Sequence, residues 1–167
     1  DRIILSGTFA EKDPQMLTDV QLRIFVKSSK DYMEFGLADG AKPKMAFTDI
    51  NQDGIKDLLV TIHPVGEAKE AVKGYALTVK GTKLLDLEIP DPVAIESSIN
   101  NGYTATLKKK KKSVEIDMKS MKDKYEELGI YQNGKLNEPM EMLIGTYSSL
   151  KPVYTVRGKG IEGVQRV

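Results

Sequence analysis

The sequence predicts a mainly β protein, built of antiparallel meandering sheets with one short helix. Three observations carry that expectation. Short runs rich in β-branched and aromatic residues recur along the chain. Gly, Pro, Asn and Asp punctuate them at close intervals. The connections are also too short to hold the crossover helices that parallel strands require.

Taken in order, residues 2–9 (Arg-Ile-Ile-Leu-Ser-Gly-Thr-Phe) read as a strand, and residues 11–18 as a polar connection in which Asp13-Pro14 favours a turn. Residues 20–27 alternate, with Val20, Leu22, Ile24 and Val26 on one face, which is the period of a half-buried strand. Residues 28–31 read as a turn, 32–37 as a returning strand, and Asp39-Gly40 as its end. Residues 44–48 and 58–62 are short apolar flanks on either side of an acidic stretch. Residues 71–80 and 83–89 form an expected hairpin around Gly81, after which Pro90 and Pro92 interrupt any ladder.

Residues 93–99 and 103–107 flank Asn100-Asn101-Gly102, a strong turn signal. Residues 114–118 alternate again. Residues 120–128 place Met121, Tyr125 and Leu128 at helical spacing, with Gly129 as a stop. A helix of two to three turns is marginal alone, so this one must pack on something. Asn133-Gly134 marks another tight turn, residues 140–147 and 153–156 are further strand candidates, and residues 161–167 fit no pattern clearly. No repeat or linker divides the chain, so residues 1–167 are expected to form a single β-rich domain.

Composition bounds the function. With 25 Lys and Arg against 24 Asp and Glu, the net charge is +1, which excludes a strong whole-chain field for nucleic acid or membrane. The absence of cysteine excludes disulfides, thiol catalysis and zinc-thiolate sites. No apolar run is long enough to span a membrane as a helix. The first residue is Asp1, which fits a trimmed or mature form from which a signal segment has been removed.

The stretch with explicit chemistry is residues 47–60, Phe-Thr-Asp-Ile-Asn-Gln-Asp-Gly-Ile-Lys-Asp-Leu-Leu-Val. Oxygen-bearing side chains fall at Asp49, Asn51, Asp53 and Asp57, and Gly54 supplies a sharp turn. A short loop needs this spacing to wrap several oxygens around one hard cation, and calcium takes six to eight of them. A solvated acidic turn would use the same residue types. A helix-loop-helix calcium hand is excluded, because its twelfth position needs a bidentate glutamate and here holds Val60, and because the flanks read as strands.

Residues 49–60 resemble the calcium loop of the FG-GAP and VCBS families, D-x-[DN]-x-D-G-x-x-D followed by an apolar strand. The resemblance implies ligation of calcium by the side chains of Asp49, Asn51, Asp53 and Asp57 and by the backbone carbonyl of Ile55. It implies a calcium-loop hairpin over residues 44–63, in an arrangement like a propeller blade, and an extracellular or cell-surface location. The motif occurs once, so a complete propeller, which needs at least four blades, is excluded.

The other candidates are weaker. Lys108, Lys109, Lys110, Lys111 and Lys112 make a basic run suited to weak contact with an anionic surface, or simply a solvated turn that blunts a sheet edge. Apart from Tyr103 it lacks the aromatic interleaving of single-strand binders, so no specific nucleic-acid partner is expected. His63 is the single histidine, with no G-x-S-x-G elbow to serve. Glu126, Glu127, Glu138 and Glu141 lie outside the loop, and only distances would turn them into paired-carboxylate chemistry. Gly158-Lys159-Gly160 lacks the ending of a phosphate loop. The expectation is a non-enzymatic, calcium-stabilised module that binds a protein or cell-surface polymer or plays a structural part. The alternative is a secreted hydrolase domain that uses cleft carboxylates, with calcium as a structural ion.

Overall fold

The computed structural model describes residues 2–26, 30–67, 70–81 and 83–166. The protein is mainly β, with antiparallel sheets and one short α-helix among the described residues. Within the span expected as a single domain, contacts group the chain into two compact units. One comprises residues up to Asp91 together with Thr146–Gln165, and the other comprises Pro92–Gly145 with Arg166.

The first unit is organised by one seven-stranded sheet. Its strands are β1 (Arg2–Ala10), β2 (Asp13–Phe25), β3 (Tyr32–Gly36), β4 (Gly40–Thr48), β5 (Asp57–Pro64), β6 (Lys73–Lys80) and β7 (Lys83–Leu87). The order is β1-β2-β4-β5-β6-β7, with β3 also paired to β2. The long β2 serves two neighbours on one edge: residues 21–25 pair with β3, and Met16 and Leu17 pair with β4. Seven hydrogen-bonded strands make this sheet wider than the four-stranded blade of a propeller.

Alternation places the core. Leu22 and Ile24 of β2 meet Leu58 and Val60 of β5 and Leu77 of β6 in one buried cluster. β5 is central and buried on both faces, which is why Leu58, Leu59 and Val60 form a continuous apolar run. The face of β5 away from that cluster carries Asp57, Leu59 and Thr61, and Leu59 and Thr61 lie opposite Ala76 and Gly74 of β6. A hairpin of β13 (Tyr147–Thr155) and β14 (Gly158–Gln165) packs there, its β13 against β4, β5 and β6. Leu150 sits where a Cβ on Gly74 would be, so glycine lets the hairpin approach the sheet. The Val72 N–H donates to the Tyr147 carbonyl at 2.7 Å, joining the hairpin to the chain entering β6.

The second unit holds a three-stranded meander of β8 (Glu96–Asn100), β9 (Thr104–Lys109) and β10 (Lys112–Asp117). A 3-10 turn (Lys119–Met121) runs into α1 (Lys122–Glu127), and a two-residue-per-strand hairpin, β11 (Tyr131–Gln132) and β12 (Lys135–Leu136), follows. Asn133 and Gly134 take positive φ values of 48° and 78°, the turn that Asn-Gly favours.

Several boundaries differ from the sequence reading. The turn after β1 is only Glu11-Lys12. Asp13 and Pro14 already belong to β2, because proline is tolerated where a strand begins. Residues 27–29, part of an expected strand end and turn, lie outside the described residues. The helix over residues 120–128 is a 3-10 turn plus six α-helical residues, and of its spaced residues only Tyr125 packs inward; Leu128 is 62% exposed. Residues 140–145 are not a strand. They lie along β8 through side-chain bonding, where the Ser97 hydroxyl donates to the Met142 carbonyl at 3.0 Å and accepts from its N–H at 2.9 Å, with Ile99 N–H donating to Met140 at 2.9 Å. Of residues 161–167, ambiguous in sequence, 161–165 belong to β14, which begins at Gly158.

Candidate cation loop

β4 and β5 are consecutive antiparallel strands in register from Lys44↔Thr61 to Thr48↔Asp57, so residues 49–56 form the connection between them. The pairing puts Asp57 opposite Thr48 at the foot of the loop, and Asp49 directly after Thr48. Both aspartates are buried, Asp49 being 7% exposed and Asp57 1%.

The loop is held by its own acidic side chains. One oxygen of Asp57 accepts from the N–H groups of Ile50 (2.7 Å) and Asn51 (3.2 Å). Asp49 Oδ2 accepts from the Gly54 N–H at 3.2 Å. The Asn51 side chain accepts from the Asp53 N–H at 3.1 Å and donates to Asp53 Oδ2 at 3.0 Å, while Asp53 Oδ1 accepts from the Ile55 N–H at 2.8 Å. These are the local side-chain turns that Asx residues favour. Gln52 and Gly54 take positive φ values of 61° and 88°, and at Gly54 glycine is the natural occupant.

Each buried aspartate thus has one oxygen occupied. The other oxygen of each, Asp49 Oδ1 and Asp57 Oδ1, is buried with no hydrogen-bond partner among the described residues, as is Thr48 Oγ1. A buried carboxylate oxygen without a donor is costly. Among the described residues, no three His, Cys, Asp or Glu side chains are grouped closely enough to hold an ion by themselves. The calcium-loop resemblance would draw a donor set from Asp49, Asn51, Asp53, Asp57 and the Ile55 carbonyl, and of these Asp49 Oδ1 and Asp57 Oδ1 are the buried oxygens left without a donor among the described residues. Mixed oxygen sets of this kind suit calcium, and the two orphan carboxylate oxygens fit a hard cation.

The sequence reading missed the partner of this loop. Lys159, in β14, places its ammonium 3.6 Å from Asp49 Oδ2. Gln52 donates through Nε2 to the Lys159 carbonyl at 3.2 Å, across 107 residues of sequence. Gly158, at φ 123°, lies so close to the Gln52 side-chain amide that a Cβ would collide with it. The only sequence signal was the Gly158-Lys159-Gly160 triplet, and a pairing over that separation leaves no local pattern.

The remaining candidates fall elsewhere. In the lysine run, Lys108 and Lys109 end β9, Lys110 and Lys111 make the turn, and Lys112 opens β10, with Lys109 opposite Lys112. Lys108 lies 3.9 Å from Glu96. Tyr103 does not join this run as a stacking surface. It is buried, its ring lies 4.6 Å from that of Tyr131, and its hydroxyl donates to Glu126. That bond first, and burial second, raise its phenol above the ordinary value. Burial does the same to Tyr131, whose hydroxyl donates to the Asn100 carbonyl at 2.7 Å. His63 lines a concavity of about 240 Å³ with Lys42 and Glu67. In the second unit a cavity of about 190 Å³ is bounded by Ile99, Met118, Tyr125, Tyr131 and Met142, and Glu141 is the one carboxylate in its lining.

Residues 93–167 match the family model of the YybI C-terminal domain, less than half of the chain. That span includes Lys159 and leaves residues 49–57 outside. No curated protein and no solved structure matches the chain.

Proposed function

We propose that the protein is a calcium-stabilised β module, extracellular or surface-associated, with a binding or structural role and no catalysis of its own. The observation that carries this reading is the pair of buried carboxylate oxygens, Asp49 Oδ1 and Asp57 Oδ1, that no donor among the described residues satisfies. Asp49, Asn51, Asp53 and Asp57 would hold the ion with the Ile55 carbonyl. When bound, the ion supplies positive charge that relieves the cost of burying two carboxylates, Asp49 and Asp57. The resemblance of residues 49–60 to loops of extracellular proteins supports the location. The hydrolase alternative needs paired carboxylates in a cleft, whereas the cavity bounded by Tyr131 and the concavity at His63 each carry a single carboxylate in the lining, Glu141 in one and Glu67 in the other.

The test is thermal unfolding in calcium and in chelator. Calcium at a hundredfold excess over its Kd adds about 2.7 kcal/mol, a rise in Tm of roughly 5–10 °C for a chain of this size. Asp53→Ala and Asp57→Asn should each remove most of that rise. Asp53 is the cleaner probe, being exposed and engaged only within the loop. Magnesium, which demands octahedral geometry and keeps its waters, should give less. Superimposable melting curves in calcium and chelator would overturn the proposal.

A further inference from the structure

We infer that Lys159 is a built-in countercation of the acidic loop, holding the β13–β14 hairpin tip on Asp49 and opposing a divalent cation at the same carboxylate. This rests on the reading of residues 49–57 as a cation site and adds what sets its affinity and what moves when it fills.

Three independent contacts place the hairpin tip on the loop: the Lys159 ammonium on Asp49, the Gln52 side chain on the Lys159 carbonyl, and the close approach of Gly158 to Gln52. Asp49 is nearly buried and its Oδ2 already accepts from Gly54, so Lys159 is the charge that offsets it. Among the described residues no other cation is bridged to Asp49, Asp53 or Asp57. The orphan Asp49 Oδ1 shares its carboxylate with the oxygen Lys159 faces, so an ion taken there sits within several ångströms of the ammonium. Like charges at that distance oppose each other, and the lysine is 44% exposed and free to swing into water. The rest of the hairpin stays anchored by its own ladder and by Leu150 against β6. Only the tip is therefore released. Coupling of this kind is reciprocal: whatever the ammonium costs the cation, the cation costs the ammonium contact.

The experiment is calorimetric titration of the intact chain with calcium chloride, comparing wild type, Lys159→Gln and Lys151→Gln. Lys151 lies on the same hairpin but pairs with Glu162 at 2.9 Å. Loss of the ammonium should tighten calcium binding about tenfold, while Lys151→Gln leaves it unchanged. In wild type, calcium should also speed tryptic cleavage after Arg157 and Lys159 relative to chelator. Equal affinity in wild type and Lys159→Gln, or weaker binding in the variant, overturns this inference and leaves the cation site standing. Absence of calcium binding in every variant overturns the cation site, and this inference with it.

Discussion

Asp57 shows how one side chain can fasten a loop and still need a partner. One of its oxygens takes two backbone N–H groups, while the other is buried without a donor. Its place follows from strand parity: it shares a face of β5 with Leu59 and Thr61, the face on which β13 packs. Tyr103 gives a contrasting case, in which a buried polar group is satisfied. Its hydroxyl donates to Glu126, and the folded protein holds the phenol proton more tightly than the unfolded chain does. The sign follows by linkage. The stabilisation is complete below the ordinary phenol value near 10 and is lost as pH rises through the raised folded value. Tyr103→Phe should therefore lower the Tm at neutral pH and flatten its alkaline decline. A wild-type-like alkaline decline in the variant, followed by circular dichroism against pH, would contradict this.

At the scale of elements, the β4–β5 hairpin was the most legible part of the chain. Apolar flanks, an Asx-rich connection and a glycine are local signals, and local bonding builds the loop they predict. Its start was less legible, because residues 40–43 look like turn and connection rather than strand. Tertiary packing decides there. Gly40 pairs with Pro64 and Leu17, and a Cβ at this position would meet the His63 carbonyl oxygen. Backbone must then move, so Gly40→Ala should cost roughly 1–3 kcal/mol, read as a lower midpoint in urea unfolding. A neutral substitution would show that the strand gives way. Residues 140–145 misled in the opposite direction. They carry strand-like composition, but Ser97 supplies from its side chain the bonds that a ladder would supply from backbone. Side-chain substitution of this kind has no period to detect.

For the whole molecule, a net charge of +1 leaves any electrostatic partner to local patches. The exposed lysines around the β9–β10 turn are such a patch, with like charges opposed at Lys109 and Lys112. Replacing residues 108–112 with serine should reduce salt-dependent retention on an anionic matrix and leave the Tm nearly unchanged, since the run is a surface turn. Unchanged retention would reduce the run to a solvated hairpin end. The resemblance of residues 49–60 to calcium loops and the match of residues 93–167 to the YybI C-terminal domain cover different stretches of the chain.

By itself, the sequence determined the β class, most turns, the oxygen spacing of the acidic loop and the exclusion of a calcium hand. All of these depend on residues a few positions apart, whose side-chain period and turn chemistry are written locally. The tertiary structure decided that Asp49 and Asp57 are buried with an oxygen each to spare, that Tyr103 faces Glu126 rather than solvent, and that Lys159 stands over the loop. Burial and long-range pairing depend on which sheet face a distant hairpin covers, and no local pattern of residues encodes that.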